Sequence, residues 1–306
     1  MERRRGCSEQ PRSRPFLPPV AAYESDLRID RLRWTAMTIG DSLMLHRVLI
    51  LTYGSASYAL SLVTLLYTVG FVGGFAAPTR LDGPRQGSVV AALAVDLGLM
   101  ALFALQHSGM ARPAFKRWWV RFVPEVAERS TYVLLSSLTL LLLFWFWQPI
   151  GGVIWATEET VVRAVLYSVY AVGWLVLLVA TFLINHFDLF GLRQVWLSFR
   201  GRLYTPLRFT TPALYRIVRH PIYVGWLMVF WATPQMTATH LVFAAALTAY
   251  ILAAIRWEER DLVDAHPDYA DYRRRVPMLI PMRLRHATGA DAGPVSVCTS
   301  TPTAKT

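Results

Sequence analysis

Tyr215-Arg216-Ile217-Val218-Arg219-His220-Pro221-Ile222-Tyr223-Val224-Gly225-Trp226 turns within a few residues from a basic, polar run into an apolar helix. Proline pushes the residue before it out of the helical region and is itself tolerated at a helix start, so His220 reads as a boundary and Pro221 as the first helical residue. Backbone N–H groups without intrahelical partners collect at such a start. With Arg216 and Arg219 beside them they favour an anion such as a carboxylate. The same run also reads as an interfacial anchor, because arginine ahead of an apolar stretch is the positive-inside pattern.

Outward from this run, the chain is a series of apolar stretches: Val48 to Phe75, Ser88 to Leu105, Thr131 to Trp147, Val161 to Ile184, Ile222 to Thr233 and His240 to Trp257. A helix needs about 20 residues to cross a hydrocarbon core of about 30 Å, and the first four meet that length when interfacial ends are allowed for. The fifth reaches only about 18 Å before Pro234, so it either continues past a kink or forms a short hairpin with the sixth. The expected fold is all-α: a polytopic helical membrane protein with about six membrane helices, or five plus a short C-terminal hairpin, and no Rossmann domain.

Composition agrees, since 54% of the 306 residues are hydrophobic and 17% charged, too apolar for a typical soluble chain. The net charge of +11 is spread over short loops and tails, so nucleic acid is not an expected partner and the bilayer is. Cys7 and Cys298 lie near opposite ends, which leaves no Cys-ligated metal site and no disulfide framework. Residues 1–46 read as a disordered basic tail, 47–282 as the membrane domain and 283–306 as a polar disordered tail. Nothing before Met37 or Met44 looks structural, so translation is expected to start at one of them, which the mass of the native N-terminus decides.

Arginine and lysine alternate between successive connections. The N-terminal tail, the connection with Arg112, Lys116, Arg117, Arg121 and Arg129, the one from Arg193 to Arg219, and the C-terminal segment are basic. Gln148 to Thr160 and the tip near Pro234 carry none. The expected location is a bacterial inner membrane with both termini cytoplasmic. That orientation gathers Gln106 and His107, Asn185, His186 and Asp188, His220 and Tyr223, and Glu258 and Glu259 at one face, as in a pocket between helix ends. Interfacial polarity accounts for such a gathering equally well. The opposite face offers little comparable. Asp96 lies within the second apolar run, about 16 Å in height from His107 on the same helix face. An intramembrane carboxylate is read as functional or as a buried hydrogen bond to another helix. His107, His186 and His220 also suit metal or haem ligation as residue types, though no His-x-x-x-His pair supports it.

Met110 to Glu128, with Phe115, Trp118, Trp119 and Phe122 among basic residues, reads as an interfacial segment. Phe187 to Phe209 is expected along the cytoplasmic surface, as a linker or a cover, and Asp261 to Pro281 as a lid or an anchor.

Arg219-His220-Pro221-x-Tyr223-x-Gly225, then Glu258-Glu259, Tyr269-x-x-Tyr272 and Val276-Pro277, resembles the C-terminal signature of integral-membrane methyltransferases such as isoprenylcysteine carboxyl and phospholipid N-methyltransferases. Gln106-His107-Ser108-Gly109-Met110-Ala111-Arg112-Pro113, Glu128-Arg129-Ser130-Thr131-Tyr132 and Asn185-His186-Phe187-Asp188-Leu189-Phe190-Gly191-Leu192-Arg193-Gln194 are similar to the nurim-like branch. Within that branch they are most like the thiol methyltransferases that convert methanethiol to dimethyl sulfide. The resemblance runs from about Leu45 to Pro281; Ala265-His266-Pro267 departs from the Phe-Gly that relatives often carry there.

The resemblance implies S-adenosyl-L-methionine as cofactor, held by Arg219, His220, Tyr223, Gly225, Glu258 and Glu259, with no metal. It implies in-line methyl transfer to a small thiol, methanethiol, with no obligate protein partner. His107 and His186 are the candidate bases, and Asp96 completes the candidate catalytic set. Three other readings stay open: a prenylcysteine carboxylate or lipid acceptor, a non-catalytic nurim-like scaffold, and a haem-binding membrane enzyme using two of the three histidines.

Overall fold

A computed structural model describes the backbone of residues 19–85 and 87–281, and side chains from Leu43 onward apart from Gln86. The two tails read from sequence, 1–46 and 283–306, lie outside the described side chains except for residues 43–46.

Helix α1 (Pro19–Gly73) is followed by α2 (Val89–Ala111), a short α3 (Pro113–Trp119), α4 (Glu125–Phe146), strand β1 (Val153–Ala156) and α5 (Thr160–Leu183). Two short helices come next, α6 (His186–Leu189) and α7 (Leu192–Phe199), then a 3-10 turn at Ala213–Arg216. The chain ends its described part with α8 (Pro221–Trp231), strand β2 (Gln235–Thr237), α9 (Ala238–Ala265) and α10 (Tyr269–Arg275). Among the described residues five helices are long and apolar enough to cross a bilayer: residues Leu43–Gly73 of α1, and α2, α4, α5 and α9. The protein is therefore a helical membrane protein, with α8 as a shorter apolar helix beside these five.

These helices are apolar on both sides, as a bilayer requires. Leu66, Val90, Leu105 and Trp145 face outward, while Phe71, Leu143, Phe144, Val229, Phe230 and Phe243 form the interior. Aromatic edges and faces meet there, with Phe71 and Phe144 rings 4.7 Å apart and Phe230 and Phe243 5.3 Å apart.

The short α8 is accommodated by its seat on α5. Gly173 of α5 and Gly225 of α8 face each other, and a Cβ on Gly225 would lie 2.8 Å from the Gly173 carbonyl and 3.0 Å from the Leu177 nitrogen. Two glycines thus let two backbones approach as they do in small-residue membrane interfaces. Pro221 occupies the first helical position, as the local sequence dictates.

A feature not anticipated from sequence closes the end of the bundle where α8 turns into α9. Strands β1 and β2 pair antiparallel, Val153 opposite Thr237 and Ala156 opposite Gln235, with an irregularity between Val153 and Trp155. The buried His240 sits 3.0 Å from Asp82 Oδ2 through Nδ1 and 2.8 Å from the Phe230 carbonyl through Nε2. Thr237 donates to the other Asp82 oxygen and accepts from the His240 amide, capping α9. The expectation that this face offers little polar chemistry is corrected here: it carries a buried network, whose work is to lock loops.

Replacing Gly225 by alanine forces its methyl against the Gly173 and Leu177 backbone as well as the Leu177 side chain. We expect a loss of about 1–3 kcal/mol, read as a lower midpoint of thermal unfolding in detergent. An unchanged midpoint would contradict the close α5–α8 seat.

Candidate functional site

The opposite end of the bundle collects the C-terminal end of α2, the N-terminal end of α4, the start of α8 and the last three turns of α9. Glu258 and Glu259 stand inside α9, which continues to Ala265. Successive residues on a helix point about 100° apart, so the two carboxylates separate.

Glu259 turns inward and is buried. Its Oε1 accepts from Arg219 Nε at 2.8 Å and lies 3.0 Å from His220 Nε2, while Oε2 is 3.2 Å from Arg273 Nε. Arg219 also donates through Nη1 to the carbonyls of Arg273 and Val276, at 2.8 and 2.6 Å. The backbone N–H groups of Arg219 and His220 donate to the Pro277 and Met278 carbonyls. The segment after α9 therefore folds back over the start of α8, and the two elements share one charged cluster.

Glu258 is the free partner, with its side chain 43% exposed. Tyr223 donates its hydroxyl to Glu258 Oε2 at 3.0 Å, and His220 Nδ1 stands 3.9 Å from the same oxygen. Tyr132, Tyr215, Tyr223 and Tyr250 all lie within electrostatic range of Glu258. Burial pushes the Tyr215 phenol, outside the spans, well above its ordinary value, so it remains protonated. Gly225, by contrast, faces α5 and serves helix packing.

His107, on α2, is held from α4. The Tyr132 hydroxyl lies 3.0 Å from both ring nitrogens and Ser136 Oγ lies 3.2 Å from Nδ1. Phe103 stacks on its other side at 5.1 Å. Ser108 and Tyr250 join α2 to α9 at 2.9 Å, and Arg112 pairs with Asp261 at 2.9 Å. Through Ser108 and Tyr250 the end of α2 that carries His107 is tied to α9, the helix that carries Glu258.

The other two candidate catalytic residues lie elsewhere. His186 is buried in α6, with Tyr58 at Nε2 (3.0 Å), Thr181 at Nδ1 (2.9 Å) and Phe182 stacked at 4.4 Å. Burial holds its imidazole below the ordinary 6.5, hence neutral at neutral pH. Asp96 accepts the Gln148 backbone N–H at 2.9 Å, about 16 Å along α2 from His107. It ties down the connection that follows α4. Among the described residues no three His, Cys, Asp or Glu side chains group as metal ligands.

Sequence reasoning passed over Tyr132, Ser136 and Tyr250 as partners. Tyr132 closes the Glu128–Tyr132 motif, and its one available signal was a phenol at a helix start opposite a histidine at a helix end. The segment expected to run along the surface also reaches the site's edge. Arg129 donates to the Leu189 carbonyl at 2.7 Å and its guanidinium stands 4.9 Å from the Tyr132 ring centre. Gly191, with φ +84°, presses so closely on Ser130 that no side chain fits. This end thus presents an open carboxylate, helix-start N–H groups, a histidine with hydroxyl partners, the buried Tyr132 and the half-buried Tyr215, Tyr223 and Tyr250. It is equipped to bind a zwitterion and to take up a proton.

No protein-family model matches the chain, and no solved structure matches it. The sequence is 57% identical over 238 residues to methanethiol S-methyltransferase of Crocosphaera subtropica, covering 78% of this chain and 93% of that protein. It is 51% identical over 243 residues to methanethiol S-methyltransferase of Mycobacterium tuberculosis, covering 79% of this chain and all of that protein. Nurim of Pan troglodytes is 34% identical over 187 residues, 58% of this chain and 71% of its own.

Exchanging Glu259 for glutamine strips the charge from a buried carboxylate on which two arginines converge. We expect a stability loss of about 3 kcal/mol or more. The same change at half-exposed Glu258 should cost under about 1 kcal/mol. Thermal unfolding of both variants in detergent compares them, and equal losses would refute the division of labour.

Proposed function

The chain belongs to the methanethiol S-methyltransferase family, and we propose that it methylates methanethiol to dimethyl sulfide with S-adenosyl-L-methionine as donor. The observation that supports this reading is that the His107–Tyr132 pair of α2 and α4 and the Tyr223–Glu258 pair of α8 and α9 sit on helices tied together at the same end of the bundle by Ser108–Tyr250 and Arg112–Asp261.

The donor set suits that cofactor. It is a zwitterion with ribose hydroxyls, and Glu258 supplies an acceptor for hydroxyl or ammonium groups. The start of α8 with Arg219 favours its carboxylate, and Tyr223 and His220 line the approach. Glu259 builds the wall by fixing Arg219 and His220, and Gly225 brings α8 against α5. When bound, the cofactor supplies a sulfonium-activated methyl open to in-line attack by a thiolate.

Methanethiol is mostly protonated near neutral pH, so the protein must take its proton. We assign that task to His107, with Tyr132 and Ser136 orienting the ring. His186, both nitrogens engaged, becomes a positioning residue that holds α6 between α1 and α5. Asp96 shapes the far loop. A small apolar thiol needs few polar contacts and can arrive from lipid, while tyrosines and Phe103 exclude water from the reacting sulfur.

Substituting glutamine for His107 should cut dimethyl sulfide formation at least about a hundredfold and leave S-adenosylmethionine binding intact. Headspace chromatography and calorimetry on detergent-purified protein read the two quantities. Full turnover in this variant would sink the base assignment. Wild-type binding without dimethyl sulfide would redirect the acceptor to a prenylcysteine or lipid.

We further propose that the membrane is a bacterial inner membrane with both termini in the cytoplasm, which the arginine alternation supports. Cys298, which follows the spans and is kept whichever methionine starts translation, makes this testable without mutagenesis. A membrane-impermeant maleimide should label it only in permeabilised cells; labelling of intact spheroplasts would reverse the orientation.

A further inference from the structure

Tyr269 of α10 is 2% exposed, and its hydroxyl has no hydrogen-bond partner among the described residues. Its ring is fixed between Phe209 and Tyr272, each 5.6 Å away. A buried hydroxyl without a partner is costly and asks for an explanation. The contrast within the same helix is sharp, since Tyr272 donates to the Tyr215 carbonyl at 2.6 Å.

Tyr269 opens α10, which is docked on this corner: the Arg273 carbonyl of the same helix accepts from Arg219 Nη1 at 2.8 Å, and the Arg273 side chain is 3.2 Å from Glu259. Both Glu259 oxygens are already taken by Arg219, His220 and Arg273. This corner also holds the start of α8, whose first N–H groups have no intrahelical acceptor. An incoming carboxylate would meet a guanidinium, amides and one vacant O–H donor. Burial keeps the Tyr269 phenol protonated and hence able to donate.

We propose that Tyr269 is a binding residue for the methyl donor, its hydroxyl donating to the carboxylate of the donor's amino-acid end. The inference rests on the S-adenosylmethionine reading above. Tyr269 then remains unpaired until the cofactor arrives, and α10 is part of the binding site as well as a cover.

The experiment compares full-length wild type, Tyr269→Phe and Tyr272→Phe in detergent. Calorimetry uses S-adenosylmethionine and its decarboxylated analogue, which keeps the sulfonium and amine, and thermal unfolding is followed without ligand. Tyr269→Phe should weaken S-adenosylmethionine binding about tenfold or more. It should bind the decarboxylated analogue as wild type does, and its ligand-free midpoint should not fall. Tyr272→Phe should show the reverse pattern, a lower midpoint with cofactor affinity within about twofold of wild type.

Equal S-adenosylmethionine affinity in wild type and Tyr269→Phe overturns the inference while leaving the donor reading intact. A matching loss with the decarboxylated analogue overturns the carboxylate assignment. A lower ligand-free midpoint for Tyr269→Phe overturns it in favour of a structural hydroxyl. Wild type that binds no S-adenosylmethionine brings down the donor reading itself, and this inference with it.

Discussion

A single buried carboxylate organises the functional end of this protein. Glu259 holds Arg219, His220 and Arg273, drawn from the start of α8 and from α10, and so ties together segments that share no continuous backbone. Burying charge is unfavourable unless it is paired and saturated with hydrogen bonds, and Arg219 meets that condition by also donating to the Arg273 and Val276 carbonyls. Satisfying Glu259 leaves its neighbour Glu258 turned to the open side with Tyr223 as partner. One residue of helical rotation thus separates the carboxylate that builds the cluster from the one that stays half-exposed.

The bundle around that wall is shaped by a helix too short to span. With 11 residues α8 reaches about 16 Å, about half of a hydrocarbon core. Gly173 and Gly225 make the shortening possible by letting α8 lie against α5 without side chains between them. The remaining distance is covered by irregular chain and β2, whose polar backbone is satisfied by β1 and by the Asp82–His240–Thr237 network. Asp96 adds a tie from α2 to the chain after α4. One end of the molecule is bound up by strands and loop locks, and the other presents side chains.

Much of this architecture was legible in the sequence because membrane helices announce themselves by length and apolarity, and His220-Pro221 by steric rule. The shortness of α8 followed from the distance to Pro234, and the alternation of arginine grouped the helix ends. Less legible was what neighbouring residues do. Glu258 and Glu259 read alike in sequence, and only the direction each takes from α9 separates them. Tyr132 and Tyr269 stood out only as members of motifs, with no role of their own, since nothing local to them reveals a histidine from another helix or the surroundings of a hydroxyl. Asp96 drew a functional reading because a carboxylate among apolar residues usually has one; a loop amide 52 residues away is invisible to periodicity. The β1–β2 pair joins segments about 80 residues apart and is too short to leave a pattern.

The fold-back of the chain after α9 carries a consequence for biosynthesis. Arg273, Val276, Pro277 and Met278 complete the cluster around Glu259, and all of them follow the last membrane span. A nascent chain can therefore have every span inserted and still lack the closed Glu259 cluster, because the residues that close it have yet to emerge. Assembly of the membrane body and completion of this charged cluster become separate events in time. Until the second occurs, Glu259 and Arg219 sit half-paired within a bundle already in the bilayer, making this corner the stage at which quality control would find an incomplete molecule.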